Sequence, residues 1–270
     1  MAIQLTSVYS KTQENYSSGA STVNISDGGR YLCINIYVHN GAHQDNNAEA
    51  NITATKNADV EDSITQQYDG QKRTIYCKVA IFTLASGDTI TFTNKMGSYR
   101  YLTVQTHTVI KMSGSALGEF VRLTFQGKCD GVIPASTIYE LPAGYRCLAI
   151  GFVNNAENPN QDQSVSITSS DTVEGHVRIA DTPETAMVAV SSIKVEGGHG
   201  VTIGGSVQNR NVEAITINNG ILGPSRVSKG TIGTALGNRL FWPANNATFK
   251  YVSRTAYVTR GYIVYRVGGG

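Results

Sequence analysis

Few residues in this chain have the type and spacing for chemistry, and the spacing decides against most reactions. His39 and His43 stand four apart, with Asp45 and Asn46 close behind. On a helix that spacing puts two imidazoles on one face and can hold a metal ion. Here Gly41 lies between them and strand-like apolar runs flank the segment, so an open loop is expected, with no metal site. Asn154, Asn158, Asn160 and Asp162 form a second polar set of the same kind. Loops of this composition on a rigid β scaffold are where binding groups collect. These eight residues are the candidate receptor or contact residues. Their composition leaves open whether a glycan or a neighbouring protein is the ligand.

No catalytic set is legible. Gly114-Ser-Ala-Leu-Gly118 has the wrong frame for a nucleophile elbow. The carboxylates Glu61 and Asp62, with Glu174 as their counterpart, fall in polar stretches and are expected to be solvated rather than poised for acid–base work. Cys33, Cys77, Cys129 and Cys147 show no CxxC spacing and are expected as reduced, small core residues. The expectation is a non-enzyme without catalytic residues, cofactor or metal.

Charge is unevenly spread. The chain has 22 basic and 20 acidic residues, and the last acid is Glu213. From residue 223 onward the seven basic residues are Arg226, Lys229, Arg239, Lys250, Arg254, Arg260 and Arg266, which leaves 15 − 20 = −5 for residues 1–222. With Trp242 and several tyrosines, these basic residues are the candidate subunit-contact set, because Arg and aromatic side chains are enriched at interfaces. A basic arm on an acidic body points to an acidic protein partner or another copy of the chain, rather than to nucleic acid.

These groups must be positioned by strands. Tyr31-Leu-Cys-Ile-Asn-Ile-Tyr-Val-His-Asn-Gly-Ala42 returns as Tyr145-Arg-Cys-Leu-Ala-Ile-Gly-Phe-Val-Asn-Asn-Ala156, with Tyr, Cys, Ile, Asn and Ala coinciding. Six further segments repeat in the same order. Residues 3–8 return as 120–125, 21–23 as 136–138, 49–53 as 164–168, 73–84 as 184–195 and 89–92 as 200–203. Residues 101–104 are matched to 214–217. Alternating Thr, Ile and Val with frequent turn residues predicts seven or eight short strands per repeat and no helix. Residues 31–38 are apolar at both odd and even positions, which suits a central strand covered on both faces.

The expected fold is therefore all-β, with two tandem duplicated antiparallel β-sandwich, jelly-roll-like domains. Their bounds are residues 1–112 and 119–222, joined by a linker at 113–118. Residues 223–270 are expected as a basic C-terminal extension with β-strands. No basic and apolar leader opens the sequence, and no run reaches the roughly 18 apolar residues of a membrane span.

The paired Tyr-x-Cys strands at 31–38 and 145–152, with the Thr/Ile strands at 89–93 and 200–203, resemble the tandem β-sandwiches of tailed-bacteriophage virion structural proteins. That class includes capsid decoration or auxiliary proteins, head fibres and tail adaptors. The resemblance implies a structural role in a virion, synthesis in the host cytoplasm, and virion proteins or further copies of the chain as partners. Capsid decoration is the first expectation. A fibre adaptor, or a lectin-like module binding host glycans, is the alternative.

Overall fold

The computed structural model describes residues 2–15, 19–39, 49–67, 74–95, 103–129, 146–155, 163–169, 171–180, 186–194, 200–207, 211–218, 248–253 and 258–268. Among these residues every regular element is a strand. The first repeat carries β1 (Gln4–Asn15), β2 (Gly19–Asn24), β3 (Gly29–His39), β4 (Glu49–Ala54), β5 (Val60–Gln67), β6 (Thr74–Leu84), β7 (Thr89–Lys95) and β8 (Thr103–Ser113). They form a five-stranded sheet in the order β1-β8-β3-β6-β5 and a three-stranded sheet in the order β2-β7-β4. The turn Ala85–Asp88 joins the two sheets. Gly87 adopts φ 90° there, and the Asp88 carboxylate accepts the Ala85 N–H at 2.7 Å. That hydrogen bond holds the Asp88 carboxyl below the usual carboxylate range.

The second repeat carries β9 (Phe120–Cys129), β10 (Arg146–Asn155), β11 (Gln163–Ser169), β12 (Thr172–Ala180), β13 (Ala186–Lys194), β14 (Gly200–Val207), β15 (Asn211–Asn218), β16 (Thr248–Ser253) and β17 (Val258–Val267). A second five-stranded sheet has the order β12-β13-β10-β17-β9, and a four-stranded sheet has the order β11-β14-β15-β16. All pairings are antiparallel except the single β14–β16 contact. The fold is all-β and sandwich-like, as its composition predicts.

Each strand of the first five-stranded sheet has a counterpart in the second. β1 corresponds to β9, β8 to β17, β3 to β10, β6 to β13 and β5 to β12. This changes the matching of the last segments. Residues 214–217 belong to β15 in the outer sheet, and Val258–Val267 takes the place of β8 between β10 and β9. Residues 258–267 are therefore not an appended arm. They form an inner strand, with Ile263, Val264, Tyr265 and Val267 buried. The extra sequence of the second repeat lies between Val207 and Val258, where the first repeat has only residues 96–102. Sequence matching missed this because Ile263 and Tyr265 share burial, not identity, with Thr106 and Thr108. Other bounds differ as well. β1 continues through residues 9–15, beyond the repeated segment 3–8, and Glu61 and Asp62 lie on strand β5. Residues 136–138 lie outside the described residues.

The two five-stranded sheets pack face to face. Leu32, Ile34 and Ile36 of β3, Val79 and Ile81 of β6, and Ile110 and Met112 of β8 share one core with Leu148, Ile150, Phe152, Val188, Val190, Ile263 and Val267. The alternate side chains of the first sheet (Tyr31, Cys33, Ala80, Phe82, Val109) bury against Val23, Ile52, Ile90 and Phe92 of the three-stranded sheet. On the far side, β11 packs against β10 and β13. The result is a stack of four layers. Burying an aliphatic or aromatic side chain of this size is worth about 1.5–3 kcal/mol, and the inner interface joins both repeats into one core.

Truncation after Leu222 therefore deletes β17 and opens the second sheet between β10 and β9. The expected product binds a hydrophobic dye and lacks a cooperative urea transition. Two intact sandwiches after this truncation would contradict the strand order.

Candidate functional site

Strand pairing places the candidate loops. His39 pairs with Thr74 and Thr103, and Glu49 with Lys95, so these strand ends share one end of the first repeat. Asn155 pairs with Val258, and Gln163 with Val207, at the matching end of the second repeat. At the opposite end, Ile3 N–H donates to Glu174 Oε2 at 3.2 Å, and Arg30 Nη1 donates to the Gly118 carbonyl at 2.7 Å. The two repeats thus point the same way. The residues that bracket 40–48, 156–162 and the long segment 208–257 all sit at one end of the stack, which is the candidate contact face.

His39 is the last residue of β3 rather than a loop residue, and Asn154 lies within β10, paired with Ala186 and Thr259. His43, Asp45, Asn46, Asn158, Asn160 and Asp162 lie outside the described residues. Of the basic set, Arg226, Lys229, Arg239, Trp242 and Arg254 lie outside them too. Lys250 is on β16, paired with Ala214, while Arg260 and Arg266 are on β17 inside the second five-stranded sheet. Arg266 is half-buried between Val121 and Cys147 in register. The eight basic and aromatic residues are thus not one arm.

Beneath the contact face of the first repeat lies a buried polar cluster that sequence reasoning did not single out. Asn35 Nδ2 donates to Asn94 Oδ1 at 2.8 Å and to the Asn51 carbonyl at 2.9 Å. Asn94 Nδ2 donates to Gln105 Oε1 at 3.2 Å and lies 2.9 Å from His107 Nε2. Since Asn94 Nδ2 can only donate, His107 Nε2 accepts and Nδ1 carries the proton, donating to Ser21 Oγ at 2.9 Å. The His107 ring stacks on Phe92 at 4.8 Å. Burial, with a smaller push from the Lys11 charge, lowers the His107 pKa to about 4. A second proton would also set an N–H on Nε2 against the Asn94 amide. The available signals were Asn35 within an apolar run and His107 within a Thr-rich one.

At the rim, Lys78 Nζ donates to Asn51 Oδ1 at 2.7 Å and pairs with Glu61. Glu61 is exposed, as its sequence context suggested, whereas Asp62 and Glu174, also expected to be solvated, are largely enclosed by their partners. Asp62 accepts Tyr265 Oη–H at 2.8 Å and Arg122 Nη1–H at 2.6 Å. Burial, reinforced by the Asp62 carboxylate, pushes the Tyr265 hydroxyl far above its ordinary pKa. Burial alone would raise the Glu174 carboxyl, but the Arg146 guanidinium at 2.7 Å and the Ile3 N–H hold it below the usual range. These carboxylates join strands and repeats.

Burial pushes the Cys147 thiol up to about 12, and those of Cys33 and Cys77 higher still, so none is a thiolate nucleophile at neutral pH. Among the described residues, no group of three or more His, Cys, Asp or Glu side chains could hold a metal ion. The cluster fixes the outer sheet to the inner one directly under the contact face. Its chemistry is that of a rigid mount.

Comparison with protein-family models, curated proteins and solved structures finds no match to the chain.

Two outcomes are expected. Asn94→Ala strands the hydrogen-bonding groups of Asn35, Gln105 and His107 and should cost about 2–4 kcal/mol in urea unfolding. The pH dependence follows from His107, whose folded pKa lies below the unfolded value of 6.5. The unfolded chain takes up the proton first. Its contribution to stability is full above pH 6.5 and is lost as pH falls towards 4, about 3 kcal/mol in all. His107→Gln should flatten urea midpoints across this window. His176, also held below its usual value by burial, leaves a residual slope of the same sign.

Proposed function

We propose that the protein is a non-enzymatic structural component of a tailed-bacteriophage virion, a capsid decoration or auxiliary protein made in the host cytoplasm and mounted on the particle. It binds neighbouring virion subunits, including further copies of itself, through the end of the stack whose strands flank 40–48 and 156–162, and through the basic segment 208–257. The observation that carries this reading is that the strand ends His39, Glu49, Asn155, Gln163, Val207 and Val258 share one end of a single β stack. A mount of this kind holds contact groups at fixed spacing. Repeated weak contacts then add up by multivalency rather than through one deep site.

Charge supports a protein partner. Arg226, Lys229, Arg239, Lys250 and Arg254 all fall within 208–257, where the only acid is Glu213. They give this segment a basic character suited to an acidic subunit surface. Arg260 and Arg266 serve the second sheet instead. The paired Asn- and Asp-rich segments favour the second reading, a fibre adaptor or a lectin-like module recognising host glycans. No membrane or nucleic-acid partner is part of either proposal.

The test is to replace residues 208–257 with 96–102 of the first repeat, which connects the equivalent strands. The variant should keep a cooperative transition and lose incorporation into particles or self-association in sedimentation assays. Normal assembly would overturn the decoration reading. Gly/Ser replacement of 40–48 and 156–162 should then abolish glycan or cell binding if the second reading holds.

A further inference from the structure

The interface between the two five-stranded sheets has internal two-fold character. The sheets correspond strand for strand, yet they stack in reversed order. β1 lies against β12, the counterpart of β5, while β5 lies against β9, the counterpart of β1. Each pair of opposed edges is closed by a carboxylate from the β5-type strand. Asp62 on β5 holds Arg122 of β9 at 2.6 Å and the Tyr265 hydroxyl at 2.8 Å. Glu174 on β12 holds the N–H of Ile3, next to β1, at 3.2 Å, and its carbonyl accepts from Gln4 Nε2 at 3.3 Å. A surface on which element i meets j and element j meets i is isologous, the geometry of a symmetric homodimer.

Such a face does not encode that its partner belongs to the same chain. That choice falls to the short connection from Ser113 to Glu119. Gly114 adopts φ 124° there, and a Cβ at this position would run into the Ala2 carbonyl. The connection is also held down by Arg30, whose Nη1 donates to the Gly118 carbonyl at 2.7 Å and whose guanidinium lies 5.1 Å from the centre of the Phe120 ring. A tight turn keeps the second repeat at high effective concentration over the first. An extended connection removes that advantage and leaves the face intact.

We propose that the inner face of each five-stranded sheet is a docking surface for a second copy of this chain. When the 114–119 connection opens, two chains exchange repeats, each first repeat seating on the other chain's second repeat in a closed dimer. The inference rests on the fold alone and not on a virion role.

The experiment uses the full chain carrying Gly114→Val, with deletion of residues 115–117 as a second variant should valine prevent folding. Light scattering after size exclusion should give twice the monomer mass, with β circular dichroism retained and a concentration-dependent melting midpoint. A protease site added to the connection of co-expressed, differently tagged chains identifies the partners. After cleavage, capture of one chain's first repeat should bring down the other chain's second repeat. A folded monomer from either variant, loss of fold in both, or capture of a chain's own second repeat overturns the proposal.

Discussion

The structure depends on one constraint: β3 and β10 must each be covered on both faces. Leu32, Ile34 and Ile36 point into the inner core, while Tyr31 and Cys33 point outward. A single sandwich cannot satisfy a strand that is apolar on both sides at the centre of its larger sheet. The second repeat supplies the missing layer for the first, and the first for the second. Neither five-stranded sheet can leave the other without exposing a continuous aliphatic surface. The duplication is therefore physically cooperative, and the two halves share one large core.

Charge is kept to the margins of that core. Asp62 and Glu174 sit on edge strands, where partial solvation limits the desolvation penalty and the opposing repeat supplies donors. β1, β9 and β12 each carry a register shift, a device that bends an edge and discourages further strand pairing. The edges thus close the sandwich laterally, while the interior supplies the energy. Tyr265 spans both roles, with its ring in the core and its hydroxyl on the Asp62 clamp.

The polar cluster around Asn94 answers a different problem. At the contact end, the first repeat's outer sheet packs through Asn35, Gln105 and His107 as well as through apolar side chains. The hydrogen bonds of this buried network add directional constraints to the register that the apolar pattern already specifies. A neutral His107 stacked on Phe92 keeps this network intact at ordinary pH. Long insertions between strands are tolerated because loop closure grows only slowly with length, and segment 208–257 uses that tolerance without disturbing β14 or β17.

The sequence by itself determined the all-β class, the duplication, the register of β3 against β10, and the double-faced burial of both. Those properties follow from local alternation and composition, which a linear reading captures. Burial of Cys33 and Cys147 in one slot used twice was legible for the same reason. Only the tertiary structure decided that residues 258–267 are an inner strand and that Asp62 and Glu174 are clamps. It also decided that His107 and Asn94 meet. Each of these rests on partners far apart in the chain, such as Asp62 and Tyr265. β17 was hidden for a further reason: a strand is chosen by the gap it fills between two neighbours, and Ile263 and Tyr265 fill that gap without repeating the residues of β8. The insertion of 208–257 moved that strand to the chain's end, where order along the sequence no longer reports order in the sheet.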